Sequence, residues 1–296
     1  MNKQIRADLM LLMITVFWGA SYMLTKIGLG VLEPFNLTAL RFVIAFCVSA
    51  IVFYRHILKT DKKTVKYALI LALILFGVFI SMTFGLEYTT ASNAGFLVSL
   101  SVVFIPIISV VFLKHKIEIK LIAGVCLAII GIALLTLNDQ LQVGGGDLLC
   151  IFCALLFAVH IIVTGVYTQK VDSIALSVIQ LGFVGLFSVV FSMFTETIKL
   201  PESNLSWFAV LALSILCTAI GYIVQTTAQQ YTSATHTGLI LSLEPVFSAV
   251  FAFVFLNEVL TAKGYIGAVL LLASVIIAEF DFKSKSKSFE TDLESN

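Results

Sequence analysis

Charge is scarce in this sequence. Only 12% of its residues are Asp, Glu, Lys or Arg, while 60% are hydrophobic; an average soluble domain carries roughly twice that share of charge. Mean hydropathy is +1.08. A soluble chain with so few charges cannot cover that much apolar surface, so lipid is its solvent. Long polar connections are missing too: the longest is the basic stretch Arg55–Lys66. No separate soluble catalytic domain fits between the apolar runs.

Chemical motifs are equally sparse. Cys47, Cys126, Cys150, Cys153 and Cys217 all lie in or beside apolar runs. Cys150 and Cys153 have CxxC spacing, but no second pair and no His or carboxylate lies at ligand distance. They read as small buried hydrophobes rather than a redox or zinc site. No paired carboxylates and no nucleophile with a base are present, which excludes the usual enzyme constellations. Gly144-Gly145-Gly146 lacks the Gly-Lys-Ser/Thr of a phosphate loop, so neither ATP nor any other cofactor is implied. The net charge of +1 is spread over short loops, which gives nucleic acid no basic face.

What the chain does have is apolar runs of membrane length. A helix needs about 20 residues to cross a hydrocarbon core of about 30 Å. Such runs fall near 9–29, 37–54, 67–86, 92–113, 121–137, 148–167, 175–194, 206–228, 234–256 and 264–280. Lys3 and Arg6 ahead of the first run resemble a signal peptide, but the run is too long and has no small-residue cleavage pattern. It reads as a retained span. Basic residues test the count. Of 18 lysines and arginines, only Lys26, Lys199 and Lys263 fall in alternate loops assigned to the outside; Arg41 lies within a span and the rest fall inside. The expected class is an all-α integral membrane protein of ten transmembrane helices, in the cell membrane, with both termini cytoplasmic.

The chain also repeats itself. A shift of 143 residues aligns Tyr88-Thr89 with Tyr231-Thr232, Gly95 with Gly238, Ser99-Leu100 with Ser242-Leu243 and Lys120 with Lys263. A shift of 139 aligns Asp8-Leu9 with Asp147-Leu148 and Trp18 with Phe157. The halves are 1–138 and 147–282, five spans each, followed by a charged tail, 283–296, that reads as disordered. Five is odd, so the second half is inverted relative to the first, an arrangement suited to alternating access.

Phe17-Trp18-Gly19-Ala20-Ser21-Tyr22, Leu40-Arg41-Phe42, Leu243-Glu244-Pro245-Val246 and Leu256-Asn257-Glu258 together resemble the EamA-type members of the drug/metabolite transporter superfamily, over nearly the whole chain. That resemblance implies ten helices around a central cavity, and export or exchange of small metabolites. Two departures stand out. Lys114-His115-Lys116 occupies the end of span 4, where an acidic residue is common, and Glu244-Pro245 has no copy in the first half, where Ser101-Val102 stand.

Polar groups inside the runs are the expected path residues, because each is costly in lipid. Glu244 lies about 10 residues into its span, roughly 15 Å deep. There it must be paired, hydrated or protonated, so a proton is a candidate coupling partner. His160 shares a helical face with Phe157 and Thr164; a bond to a neighbouring carbonyl and a role in the path both fit it. Ser214, Thr218, Gly221, Tyr222 and Gln225 form a stripe that faces a cavity or a neighbouring helix. Trp18 is too deep for an interfacial belt, and Ser21 lies one turn on. Arg41 is expected to snorkel outward from near the end of its span. The stripe Gly77, Ser81, Gly85, Tyr88 reads as helix packing. A wall of Trp18, Ser21, Phe157, Thr164, Tyr222 and Gln225 suits an amino acid or similar amphipathic molecule, not a polyphosphate. The rival readings are a channel or sensory protein, and an intramembrane lipid-modifying enzyme; the latter needs acidic or histidine clusters at a membrane edge that the sequence lacks.

Overall fold

The computed structural model describes residues 3–113, 119–136, 144–256 and 262–279. Every regular element among them is helical. In order these are α1 (Lys3–Leu29), α2 (Pro34–Val52), α3 (Tyr54–Ile57), α4 (Lys62–Tyr88), α5 (Ala91–Val98), α6 (Ser101–Leu113), α7 (Ile119–Thr136), α8 (Gly145–Thr168) and α9 (Ser173–Thr195). There follow α10 (Asn204–Ala212), a π-helical stretch (Leu213–Ile220), α11 (Gly221–Ala228), α12 (Ala234–Leu241), α13 (Glu244–Leu256) and α14 (Ala262–Glu279). Most of the expected joint between halves, the Lys114-His115-Lys116 segment, Asn257, Glu258 and the tail lie outside the described residues, as does the Asn93 side chain.

Seven rods are long and apolar enough to cross a membrane: α1, α2, α4, α8, α9, Asn204–Ala228 and Ala234–Phe255. Shorter apolar helices cover Ala94–Val110 and Ile122–Gly131. The chain is therefore a multi-pass membrane protein. Its distribution of side chains agrees: Arg41, His160, Gln180, Gln225 and Glu244 are buried, while Phe191, Phe194, Phe208 and Val254 are exposed. A water-soluble protein has the opposite arrangement. Here the apolar exterior suits hydrocarbon, and the polar groups are turned inward.

Two of the expected spans are not continuous. The helix stops at Val98 and restarts at Ser101, and it stops again at Leu241 and restarts at Glu244. Both breaks are marked by a serine that bonds back to its own turn. Ser99 Oγ donates to Gly95 O at 2.8 Å and Ser242 Oγ to Leu239 O at 2.6 Å, competing with the amide ladder. Pro245, which has no N–H, follows the second break and is at home in a first turn. The consequence is that Glu244 sits in the first turn of α13, where the helix dipole favours negative charge.

The other ends are capped conventionally. Asp61, Asp172, Ser203 and Ser233 accept amide bonds from Thr64, Ala175, Ser206 and His236, which satisfies donors left over at each N-terminus. Asp61 is exposed, and its bonds from Thr64 hold its carboxyl below the ordinary range. Glu196, just past α9, accepts from the amides of Phe35 and Asn36 at 2.8 and 2.7 Å, tying α9 to the start of α2. The main helix pairs are α4 with α8, α7 with α14, α2 with α9 and α1 with α13.

Glycines allow two close approaches that involve backbone atoms of both helices. A Cβ on Gly85 would lie 2.7 Å from Cys150 Sγ and 3.1 Å from Gly146 O, so α4 and α8 meet there backbone to backbone. A Cβ on Gly19 would lie 2.6 Å from Phe247 Cβ and 2.9 Å from Ser248 N, and this contact fixes α1 against α13. Gly145 is open, with nothing within 4 Å. Gly19→Ala should therefore destabilise the detergent-solubilised protein by about 1–3 kcal/mol through overpacking. Gly145→Ala should change stability by less than about 0.5 kcal/mol. Thermal unfolding of the two variants side by side checks this; equal melting temperatures would contradict the close α1–α13 contact.

Candidate functional site

The close contact at Gly19 brings the middle of α1 to the first turn of α13. Around that junction lies a small cavity lined by Trp18, Ser21 and Tyr22 of α1, Arg41 of α2, Val78, Phe79 and Met82 of α4 and Val98 of α5. Cys153 and Phe157 of α8, Tyr222 of α11 and Glu244 of α13 complete it. The space between them is about 30 Å³, on the order of one water molecule. A small-molecule site is at least ten times larger, so the walls are drawn together in this conformation.

The aromatic wall is held by specific bonds. Trp18 Nε1 donates to Cys217 O at 2.7 Å, within the π-helical stretch. π-Helical winding disrupts the ordinary i→i−4 pattern, and here one carbonyl of the stretch meets a side chain of another helix. Trp18 can lie this close because residue 221 is glycine: a Cβ there would be 2.6 Å from its Nε1. The Trp18 ring meets Phe157 edge-on at 5.8 Å and Tyr222 at 5.2 Å. Tyr222 in turn meets Phe79 at 5.9 Å. Four linked rings thus stand around the cavity from α1, α4, α8 and α11, and the Tyr22 ring of α1 is a fifth in its wall.

Two charged groups face the same space. Glu244 is 6% exposed and accepts a hydrogen bond from the Tyr22 hydroxyl. Arg41 is 3% exposed. Its Nε donates to Thr218 Oγ1 at 2.6 Å, and its guanidinium carbon stands 4.6 Å from the centre of the Phe79 ring. Thr218 is itself oriented by a bond to Leu213 O, five residues back, at 2.8 Å, a spacing that the π-helical winding supplies. Arg41 and Glu244 are close enough to interact electrostatically.

This corrects the expectation that Arg41 snorkels outward. The helix that carries it begins at Pro34, not near residue 37, so Arg41 is seven residues along α2, about 10 Å from its start. From that depth the side chain reaches inward to Thr218 and Phe79 rather than outward to headgroups.

The seven path residues expected from sequence divide into two groups. Trp18, Ser21, Tyr222 and Glu244 line the cavity. His160, Thr164 and Gln225 do not; all three are fully buried beyond it. His160 lies behind the rings of Phe157 and Tyr222, at 6.3 and 6.0 Å, with Nε2 3.3 Å from Gln180 Oε1. Besides Arg41, the sequence reading missed Tyr22 and Phe79. Tyr22 is one turn from Trp18 on the same helical face, a periodicity that would have found it. Phe79 carries no comparable signal, being one of 25 phenylalanines. Cys150 and Cys153 are free thiols; Cys153 contributes to the cavity wall as a small apolar group. Among the described residues, no group of three or more His, Cys, Asp or Glu could hold a metal ion.

An apolar box with one cation and one anion can grip a small amphipathic molecule at two points. It offers no nucleophile with a general base. The Gly77 and Gly85 stripe is packing, as expected: Gly77 rests on Leu156 and Gly85 on Cys150.

Comparison with known proteins gives the same class. A protein of Archaeoglobus fulgidus named as an uncharacterized transporter is 33% identical over 275 residues, covering 93% of this chain and 86% of its own. A second from that organism, also named an uncharacterized transporter, is 29% identical, with 92% and 96% covered. The uncharacterized transporter YyaM of Bacillus subtilis is 24% identical, with 93% and 94% covered. A solved crystal structure superimposes with a TM-score of 0.79 over 93% of this chain and 96% of its own, at 19% identity, which shows a shared fold. The EamA-like transporter family matches twice, over residues 5–137 and 144–280, and the chain belongs to that family: it is a membrane transporter built from two EamA-like repeats.

Proposed function

We propose that this transporter is a secondary carrier of zwitterionic amino acids or similarly sized amphipathic metabolites, working as a proton-coupled exporter in the cell membrane. The observation that carries the proposal is the placement of Arg41 and Glu244 in one aromatic-walled cavity. A carboxylate on the cargo would meet the guanidinium, which binds carboxylates through a fixed fork of donors. An ammonium would meet Glu244. The four rings would cover an apolar side chain. A polyphosphate is disfavoured, because one guanidinium already balanced by a carboxylate offers no net positive charge to offset its desolvation. The cargo expected from sequence thus stands on a changed basis: the cavity holds a cation, but one only.

Coupling rests on Glu244. Cargo and proton would compete for this carboxylate, so that releasing one requires taking up the other. A transporter has to expose such a group to each side in turn. Ten spans in two inverted repeats, 1–138 and 147–282, provide the symmetry for it. The helix breaks at Ser99-Leu100 and Ser242-Leu243 fall at matching places in the two halves, which supports that reading.

Two experiments test these points. Alkaline phosphatase fused at Gly145 should be active and green fluorescent protein fused after Asn296 should fluoresce. An inactive phosphatase at Gly145 in a well-expressed fusion would contradict the inverted halves and the cytoplasmic termini. In proteoliposomes, Glu244→Gln should reduce amino-acid transport driven by a pH gradient by tenfold or more, about 1.4 kcal/mol. An unchanged size-exclusion profile and circular dichroism spectrum should report that the variant is folded. A variant that keeps the wild-type response to the pH gradient would show that Glu244 does not carry the proton.

A further inference from the structure

Beyond the cavity, α8, α9 and α11 carry a second set of buried polar side chains. His160 and Thr164 lie on one face of α8, Ser177 and Gln180 on one face of α9, and Gln225 on α11; all five are fully buried. Apart from the contact between His160 and Gln180, they have little to bond. His160 Nδ1, Thr164 Oγ1, Ser177 Oγ, Gln180 Nε2 and both polar atoms of the Gln225 amide find no hydrogen-bond partner among the described residues. Each such group costs roughly 1–3 kcal/mol relative to a satisfied one. Six such atoms on five fully buried side chains are costly as plain packing, and His160 and Gln180, which touch each other, are the pair best placed to serve a passage that is shut.

The sequence repeat shows what they correspond to. The shift of 139 residues that pairs Trp18 with Phe157 also pairs Ser21 with His160, Thr25 with Thr164, Thr38 with Ser177 and Arg41 with Gln180. All eight polar members are buried. The shift of 143 pairs Phe79 with Tyr222. The two sides are not in the same state. Ser21 and Arg41 line the cavity, whereas their counterparts do not: His160 stands against the rings of Phe157 and Tyr222, and Gln180 is held by His160 outside the lining.

We propose that His160, Gln180 and Thr164 form a second cargo station, the counterpart of Ser21 and Arg41, which joins the cavity when the carrier faces the other way. In that state Trp18 and Phe79 stand between the cavity and Ser21 and Arg41, as Phe157 and Tyr222 stand against His160 here. The station takes the carboxylate of the cargo with neutral donors, the free Nε2 amide of Gln180 and the Thr164 hydroxyl, while His160 donates its one N–H to Gln180 Oε1 and so fixes that amide with its donors free. Neutral donors bind a carboxylate roughly half as strongly as charge-assisted ones. The grip is therefore weaker on the Gln180 side than on the Arg41 side. The inference rests on the proposed zwitterionic cargo and inverted halves.

Sided transport separates the station from a packing role. Uptake of each of the twenty labelled amino acids in turn is measured in vesicles of defined orientation, so that KM is obtained from each face. Gln180→Leu should raise KM about tenfold for cargo presented at the Gln180 face, the effect of losing one bond of about 1.4 kcal/mol. It should leave KM at the Arg41 face within about twofold. Gln180→Arg should lower KM at the Gln180 face and slow turnover, because the cargo is then held by a cation on both sides. Should Gln180→Leu fail to reach the membrane, Thr164→Val, which keeps the shape, should give the same one-sided rise. Equal changes at both faces, or none, would overturn the station. Arg41→Gln is the reference: if it raises KM and the Gln180 and Thr164 variants do not act on one side, the station alone is wrong. If neither Arg41→Gln nor any Gln180 or Thr164 variant alters KM at either face, the zwitterion reading falls with the station.

Discussion

An ionised side chain in hydrocarbon has no water to fall back on, and the organisation of this protein follows from that. Arg41 and Glu244 are both buried in the interior of a chain that presents leucine, phenylalanine and valine to its surroundings. Each has been given substitutes for water. Glu244 has the Tyr22 hydroxyl and a helix N-terminus; Arg41 has Thr218 Oγ1 and the face of Phe79. Those substitutes come from different helices, so the charges dictate where the helices must lie. The break before Glu244, the glycine at position 19 and the π-helical winding before Gly221 all serve that placement. Removing one charge leaves the other unpaired in a dry interior, which is far more costly than replacing both.

The cavity between the charges is too small for any cargo, and this limits what the conformation can be. Four rings press together where an amino-acid side chain would sit. Access requires those rings to part, and elements beside them are poised for movement. α5–α6 and α12–α13 are broken rods, and α10–α11 is wound through a π segment. Such segments hold their turns by serine and threonine bonds to the backbone, which exchange more readily than a full amide ladder. By contrast α7 and α14 pack on each other to one side of the cavity and contribute none of its lining.

Much of this was legible in the sequence. Composition and run length gave a helical membrane protein, and the repeat gave the two family copies that the comparison then matched. Glu244, Trp18, Tyr222 and Ser21 were found because each is an anomaly: a charge, a deep tryptophan or a polar group at helical spacing. Arg41 was misjudged by a start site displaced by three residues, since helix boundaries are read poorly from sequence. Phe79 and Val98 were invisible because an apolar residue that lines a cavity is spelled like one that faces lipid. The π-helical stretch was also unreadable: Ser214, Thr218, Gly221, Tyr222 and Gln225 follow ordinary helical spacing, and only tertiary contacts with Trp18 and Arg41 reveal the extra residue per turn.

The central claim is that two opposite charges recognise the two ends of one cargo. The most direct measurement is binding, by thermal shift of the purified protein, of leucine, its methyl ester and its N-acetyl derivative. The wild-type protein should prefer leucine to both derivatives. Arg41→Gln should lose the preference over the ester, and Glu244→Gln the preference over the N-acetyl compound, whatever the absolute affinities become. Variants that both keep the wild-type order of the three ligands would contradict the pairing of Arg41 with a carboxylate and of Glu244 with an ammonium.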